Sequence, residues 1–313
     1  MKEDLYSYDA NTRAAVFTNG EVTKKDVEKV VNAHPETTCV DLTHADVTGL
    51  EVDDIMTLFA GKNTVVITNA TDATASNVVV KDAEGHYNCA KLELTDKSDF
   101  APGVAFDASQ VAYSRSNTTG YNTVCLPFRV AASDFGEGTR VYKLTGTEIV
   151  DHTTRITFDE ANGIIEAGTP CLVDGGSTES WNMALTAASI AKETLDMEGT
   201  PSDDTTRPRL CGAFLGKALG EGCYKLNATG EKFVKTTAAS TIMPFRFYLS
   251  LGDASSETKE CGMRLIDESG RETYISDVLC PSGKSDAFDL NGRRVVRVTM
   301  PGVYVVGGKK VVR

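Results

Sequence analysis

Four histidines, His34, His44, His86 and His152, are where a search for general-acid or metal chemistry starts. No two of them stand at metal-ligand spacing, and none is grouped with cysteines. His44 with Asp46, and His152 beside Asp151, put an imidazole close in sequence to a carboxylate. A working pair of this kind needs a third group to orient the base. Neither has one nearby, so both read as solvated surface pairs. Gly136-Glu137-Gly138 begins like a phosphate cradle, but the third glycine of that motif would fall at 141, where the chain has Val141. It reads as a loop. Asp203-Asp204 could hold calcium only weakly, because its loop lacks the alternating oxygen ligands of a calcium-binding hand. Asp159-Glu160 and Asp267-Glu268 read as turn residues. No Gly-x-Ser-x-Gly is present. The carboxylate pair of a glycosidase comes from distant strands, and nothing in the sequence points to one. The expectation is therefore a protein with no catalytic residue, no cofactor and no metal, whose binding residues the sequence does not reveal.

Two further residue types, tryptophan and cysteine, bear on chemistry. Trp181 is the only tryptophan; exposed, it would suit sugar stacking, and buried, it is a core piece. A single tryptophan favours the core. The eight cysteines, Cys39, Cys89, Cys125, Cys171, Cys211, Cys223, Cys261 and Cys280, are scattered, with no Cys-x-x-Cys. Most lie inside apolar runs, as in Val124-Cys125-Leu126, which is how buried thiols acting as small hydrophobes look. If any pair were bridged, Cys211 with Cys223 would be the first to try, since they flank a candidate hairpin.

Charge narrows the partners. The 313 residues carry 32 Lys and Arg against 44 Asp and Glu, a net charge of −12. Nucleic acid and anionic membrane surfaces are themselves polyanions and are disfavoured. No apolar run is long enough for a membrane-spanning helix. The opening MKEDLYSYDA has no apolar signal-peptide core. The expectation is nevertheless an exported chain whose signal has been removed, on grounds given below.

The elements that must position any site begin with a helix. Thr23 and Asp26 sit at the two ends of a capping box, Val27, Val30 and Val31 give a helical apolar face, and His34-Pro35 ends it. A strand-like unit then recurs every 25 residues: Ala15-Val16-Phe17-Thr18, Val40-Asp41-Leu42-Thr43, Val65-Val66-Ile67-Thr68 and Ala90-Lys91-Leu92-Glu93. Val52, Ile55, Met56 and Phe59 form a short helical face between the second and third. A strand-plus-helix period of this length falls in the leucine-rich-repeat range, and such units must stack to bury their apolar sides. Asn77–Val80 and Ala90–Leu94, around Asp82-Ala83-Glu84-Gly85, read instead as a hairpin. From Phe100 the chain is all β: short runs at regular spacing with Gly-rich turns, which indicate a sandwich or barrel. Pro244–Leu249 is the most aromatic strand. Cys280–Ser285 reads as a linker to a small three-strand unit.

That last unit carries a resemblance. Its DLNGRRV, PGVYVV and GKKVVR elements look like the C-terminal tails of secreted and surface proteins of Bacteroidetes-type anaerobes. YNTVCLPF at Tyr121–Phe128 and EAGTPCLV at Glu166–Val173 resemble a β module common in those proteins. Its usual companion there is a leucine-rich-repeat-like segment. The resemblance implies export and life at the cell surface or outside it. It also implies contact with a host or bacterial surface protein or a glycan, while the acidic charge balance argues for no nucleic acid. The expected organisation is a mainly β chain. A leucine-rich-repeat-like α/β segment covers 1–97, an antiparallel β-sandwich module covers 98–282, and a short three-strand tail covers 283–313. The expected function is a non-enzymatic extracellular or cell-surface interaction protein, with adhesion to host protein or glycan as a candidate role and a carbohydrate-binding accessory module or a structural spacer as the alternatives.

Overall fold

In the computed structural model the described residues are 5–18, 20–116, 120–150, 153–175, 180–192, 198–199, 209–250 and 260–275, together with four short strands between 287 and 312. Strands dominate, as the sequence led us to expect. The first group comprises β1 (Tyr6–Asp9), β2 (Ala14–Phe17), β3 (Cys39–Asp41), β4 (Val65–Thr68), β5 (Val78–Lys81), β6 (Tyr87–Cys89), β7 (Leu92–Thr95) and β8 (Phe106–Ser116). A middle group follows: β9 (Tyr121–Val124), β10 (Val130–Ala131), β11 (Arg140–Val150), β12 (Thr153–Glu160), β13 (Ile164–Ile165), β14 (Cys171–Asp174) and β15 (Ser180–Ile190). Then come β16 (Glu198–Gly199), β17 (Arg209–Ala213), β18 (Lys217–Ala218), β19 (Cys223–Leu226) and β20 (Phe233–Lys235). The last of this part are β21 (Thr241–Ile242), β22 (Arg246–Ser250), β23 (Glu260–Ile266) and β24 (Glu272–Ile275). The tail holds β25 (Ala287–Asp289), β26 (Arg294–Val295), β27 (Val303–Val306) and β28 (Lys309–Val312), four strands in one small sheet where three were expected.

The first sheet has nine strands in the order β1-β2-β3-β4-β5-β6-β8-β15, with β7 also on β8. The ladder β2-β3-β4-β5 is parallel, in registers that set Ala15 beside Val40, Val40 beside Val66, and Val66 beside Val78. Helices α1 (Lys24–Ala33) and α2 (Val52–Met56) cross between its rungs, the latter continued by a 3-10 turn to Phe59. The expected fourth unit at Ala90–Glu93 is not the next rung. β5 takes that place only 12 residues after its partner in β4, and Leu92–Thr95 pairs with β8. A parallel ladder is common to many α/β arrangements and does not by itself make a leucine-rich repeat. The expected hairpin is there as β5 and β6, turning at Asp82–Gly85, with its second arm at Tyr87–Cys89. The ladder runs on past residue 97 through β8 and β15.

These parallel strands read as continuous apolar runs because both faces are covered. Val40, Val66 and Val78 pack with Val27, Val30, Ile55 and Phe59 of the helical layer. Cys39, Val65, Ile67 and Val79 face the other way, into the largest core.

The second sheet follows the order β16-β17-β22-β19-β20-β23-β12-β11-β14-β9, with β24 on β23. Its β9 end curls back to β22 and to the turn between β19 and β20: the Cys125 amide donates to Phe245 O at 3.2 Å and the Tyr121 amide to Gly230 O at 3.3 Å. The sheet is thus nearly closed and barrel-like, where a sandwich layer was expected. Tyr142, Phe158, Leu172, Tyr224, Phe233 and Phe247 fill its interior. The alternate residues Val124, Val141, Cys171 and Val173 point outward and meet the inner side chains of β8 and β15. Two apolar faces per strand account for the curl: one face lines the interior and the other packs on the first sheet. At the seam Gly120 and Gly230 have φ of +85° and +70°. A Cβ on Gly230 would lie 2.5 Å from the Tyr121 backbone, and one on Gly120 2.5 Å from Thr229 O. Only glycine allows that approach.

Asp159 and Glu160, expected in a turn, are the last residues of β12. Asp159 accepts from Thr145 Oγ1 at 2.9 Å and Glu160 from the Glu268 amide at 3.3 Å. Asp267 does hold a turn, accepting from the amides of Ser269 and Arg271.

Candidate functional site

A concave surface that mixes ring, carboxylate and ammonium groups lies between β1 and α1. Alternation in β1 turns Tyr6 and Tyr8 to one side, where α1 lies. Tyr6 packs its ring on Phe17 at 5.6 Å. Leu5, Tyr6, Asp26 and Lys29 line an open groove of about 340 Å³, the lower end of the range typical of small-ligand sites.

Local structure fixes the acid at one end of this groove. Asp26 closes the first turn of α1. Its carboxylate accepts from the Thr23 amide at 3.1 Å, the Thr23 hydroxyl at 2.6 Å and Lys29 Nζ at 2.7 Å. The Lys29 bond first, and the Thr23 bonds after it, pull its pKa down to about 2. Lys29 itself is 73% exposed and points to solvent.

Where α1 ends, His34 lies flat against Tyr8, with ring centroids 3.6 Å apart and planes 9° from parallel. The Tyr8 hydroxyl donates to Glu36 Oε1 at 2.8 Å, and His34 Nδ1 stands 3.7 Å from the same oxygen. Burial first, then the bond and charge of Glu36, push the Tyr8 phenol up to about 12. Backbone and Tyr8 hydrogen bonds hold the Glu36 carboxyl below its usual range. This phenol is a donor and not a nucleophile at neutral pH. A general acid or base does its work with a pKa near the operating pH, and both Tyr8 and Asp26 are moved away from it.

The residues singled out by sequence lie elsewhere. His44 is exposed, and the Asp46 carboxylate is engaged by Thr48, whose amide donates at 2.9 Å, so the two do not act together. His152, Asp151, Asp203, Asp204 and Cys280 fall outside the described residues. Gly136 and Gly138 both have positive φ in a loop after the 3-10 turn Ala132–Phe135. Trp181 is buried at 1% exposure, edge-on to Phe135 at 5.2 Å, with the Arg115 guanidinium 5.0 Å from its ring. It cannot present a face to a sugar. Of the Trp, Phe and Tyr side chains whose burial is described, none is fully exposed; Tyr6, Tyr8, Tyr87 and Tyr121 are half-buried. Seven thiols are described and none is in a disulfide. Cys211 sits opposite Tyr248 and Cys223 opposite Ser250, on either side of β22. Two strand spacings, about 9–10 Å, separate them, too far for an S–S bond.

Sequence reasoning missed the two most consequential polar residues of the described chain, Asn63 and Asn77. They precede β4 and β5 and are buried, at 0% and 4% exposure. β7 uses one edge on β8 and, among the described residues, has no strand on the other. Asn63 takes that place for Thr95, accepting from its amide at 2.7 Å and donating to its carbonyl at 3.0 Å and to the Ser98 carbonyl at 2.6 Å. Asn77 does the same for Glu93, at 2.7 Å and 2.9 Å. Their sequence signal was faint: an Asn one or two positions before each Val-rich strand. Nearby, Arg246 forms a two-pronged ion pair with Asp96, at 2.7 Å and 2.9 Å, that ties β22 to the turn after β7.

Among the described residues no cluster of His, Cys, Asp and Glu is arranged to hold a metal ion, and no helix is long and apolar enough to cross a membrane. Comparison of the chain with protein-family models, with curated proteins and with solved structures finds no match.

Proposed function

We propose that this chain is a non-enzymatic interaction protein, working outside the cell or at its surface, which contacts a host or bacterial protein or a glycan through the groove between β1 and α1. The observation that carries this reading is the groove itself. It sets the half-buried Tyr6 ring and Leu5 beside an exposed ammonium and a fixed carboxylate. Apolar surface for a ring or side chain, next to polar groups that set orientation, is what ligand recognition uses. The protonation states of Tyr8 and Asp26 suit holding a partner and not moving protons. A carbohydrate-binding module of the kind that presents an aromatic platform on a sheet face finds less support, because Trp181 is buried.

The test is binding of the purified chain to glycan arrays and to a panel of serum and bacterial surface proteins, alongside Lys29→Glu. Lys29 is 73% exposed and its pair with Asp26 is a surface one, worth about 0–1 kcal/mol, so the variant keeps the fold, which an unchanged circular dichroism spectrum checks. Specific binding that falls about tenfold in the variant, the scale of one lost charge contact, supports the reading. Binding indifferent to Lys29→Glu, or reproducible turnover of a glycan or peptide removed by one substitution, overturns it.

A further inference from the structure

We propose that β15 is an association edge, through which two copies of this chain pair antiparallel about a two-fold axis over Ser180–Thr186. β15 closes the nine-stranded sheet. It pairs with β8 from Ser180 to Ile190, and among the described residues no strand lies on its other side. Such an edge carries unpaired amides and carbonyls along its length. Soluble proteins usually guard one with lysines, prolines or very short strands.

The other ends of the two large sheets are guarded. β1 has four residues and ends in Asp9, β16 has two, and β9 is drawn into the seam of the barrel. β15 has eleven residues, SWNMALTAASI, without a charge or a proline, in a chain that is 24% charged. Its one interruption is Ala187, with φ of +59°. There both β15 and β8 reverse the alternation of buried and exposed side chains. The regular, uncharged ladder therefore runs from Ser180 to Thr186.

That segment suits its own reverse. With the axis at Met183, Ser180 faces Thr186 and Asn182 faces Ala184 on the exposed side, while Trp181 faces Leu185 and Met183 faces its twin on the buried side. Directly opposed residues in an antiparallel pair share a face, and here each face matches itself in polarity. No like charges meet, although the whole chain carries −12. This self-match singles out a second copy as the occupant, in the closed symmetry that most homo-oligomers adopt. Trp181 and Met183 are already covered by their own core. Pairing therefore adds ladder bonds and a narrow strip of outer contact, which makes a reversible dimer. The inference is independent of the groove, which lies by the opposite edge of the same sheet.

The test is sedimentation equilibrium of the full chain from about 1 to 200 μM, bracketing the Kd expected of a small interface. The comparison chains are Asn182→Lys with Ala184→Lys, and Asn182→Glu with Ala184→Glu. Both positions are exposed, so each double variant keeps the melting temperature of the parent. Across the axis each variant sets like charges directly opposite, and dimerisation weakens at least tenfold. Mixing the lysine and glutamate chains sets opposite charges face to face and restores a dimer containing one of each. A parent that stays monomeric throughout overturns the proposal, as does a dimer untouched by both variants. So does a failure of the mixed chains to pair.

Discussion

Replacing Asn63 by alanine tests the idea that a side chain stands in for a missing strand. In the native protein Asn63 is fully buried and bonds the amide and carbonyl of Thr95 and the carbonyl of Ser98. Alanine removes all three bonds at once. A hydrogen bond between neutral groups contributes about 1 kcal/mol net, and a buried group left unpaired costs about 1–3 kcal/mol more. Water entering the small space relieves some of this. The expected loss is about 3–5 kcal/mol of unfolding free energy. Asn77→Ala, with two such bonds to Glu93, is expected to lose about 2–4 kcal/mol on the same basis. Urea unfolding followed by fluorescence and by far-ultraviolet circular dichroism gives both values. The double variant should be less than additive, because both residues hold the one strand. A loss below about 1 kcal/mol for Asn63→Ala would refute the reasoning, since it would mean that β7 keeps its backbone partners without these amides.

Two further outcomes follow from the seam and the cores. Gly230→Ala forces an L-residue to φ +70° with its Cβ 2.5 Å from the Tyr121 backbone; it should cost at least about 2 kcal/mol, whereas Gly270→Ala, with positive φ but open space, should cost about 1 kcal/mol, both read from thermal melts. Iodoacetamide labelling of native protein mapped by mass spectrometry should modify Cys223 well before Cys39, Cys89, Cys125, Cys171, Cys211 or Cys261, because Cys223 alone of these is partly exposed. Burial raises the pKa of both Cys223 and Cys89, the latter to about 11, so labelling should speed up as pH rises, and equal labelling of Cys89 and Cys223 would contradict the described burial.

Local pattern was enough for the helices and for much of the strand content. α1 begins and ends where Thr23, Asp26 and His34-Pro35 place it, because capping chemistry and the steric demand of proline act within a few residues. Buried thiols were legible in Val124-Cys125-Leu126 for a similar reason: an apolar run has to be covered by something. The aromatic run Pro244–Leu249 likewise announced a core strand, and Phe245, Phe247 and Leu249 are fully buried.

Pairing was beyond the sequence. Which strand follows β4 in the ladder depends on long-range contacts, so a 25-residue period put the fourth rung at Ala90–Glu93 while β5 took the place. The closure of the second sheet depends on two glycines more than 100 residues apart meeting at one seam. The groove is equally nonlocal: Tyr6 and Lys29 are brought together by one sheet edge and one helix, and no spacing in the chain encodes that. Composition and short-range patterning determined that this is a β-rich, acidic protein with buried thiols and one well-capped helix. Tertiary structure alone decided which edges are closed, which are left open, and where a ring, a carboxylate and an ammonium come to share one hollow, because those outcomes turn on contacts between segments that are strangers in sequence.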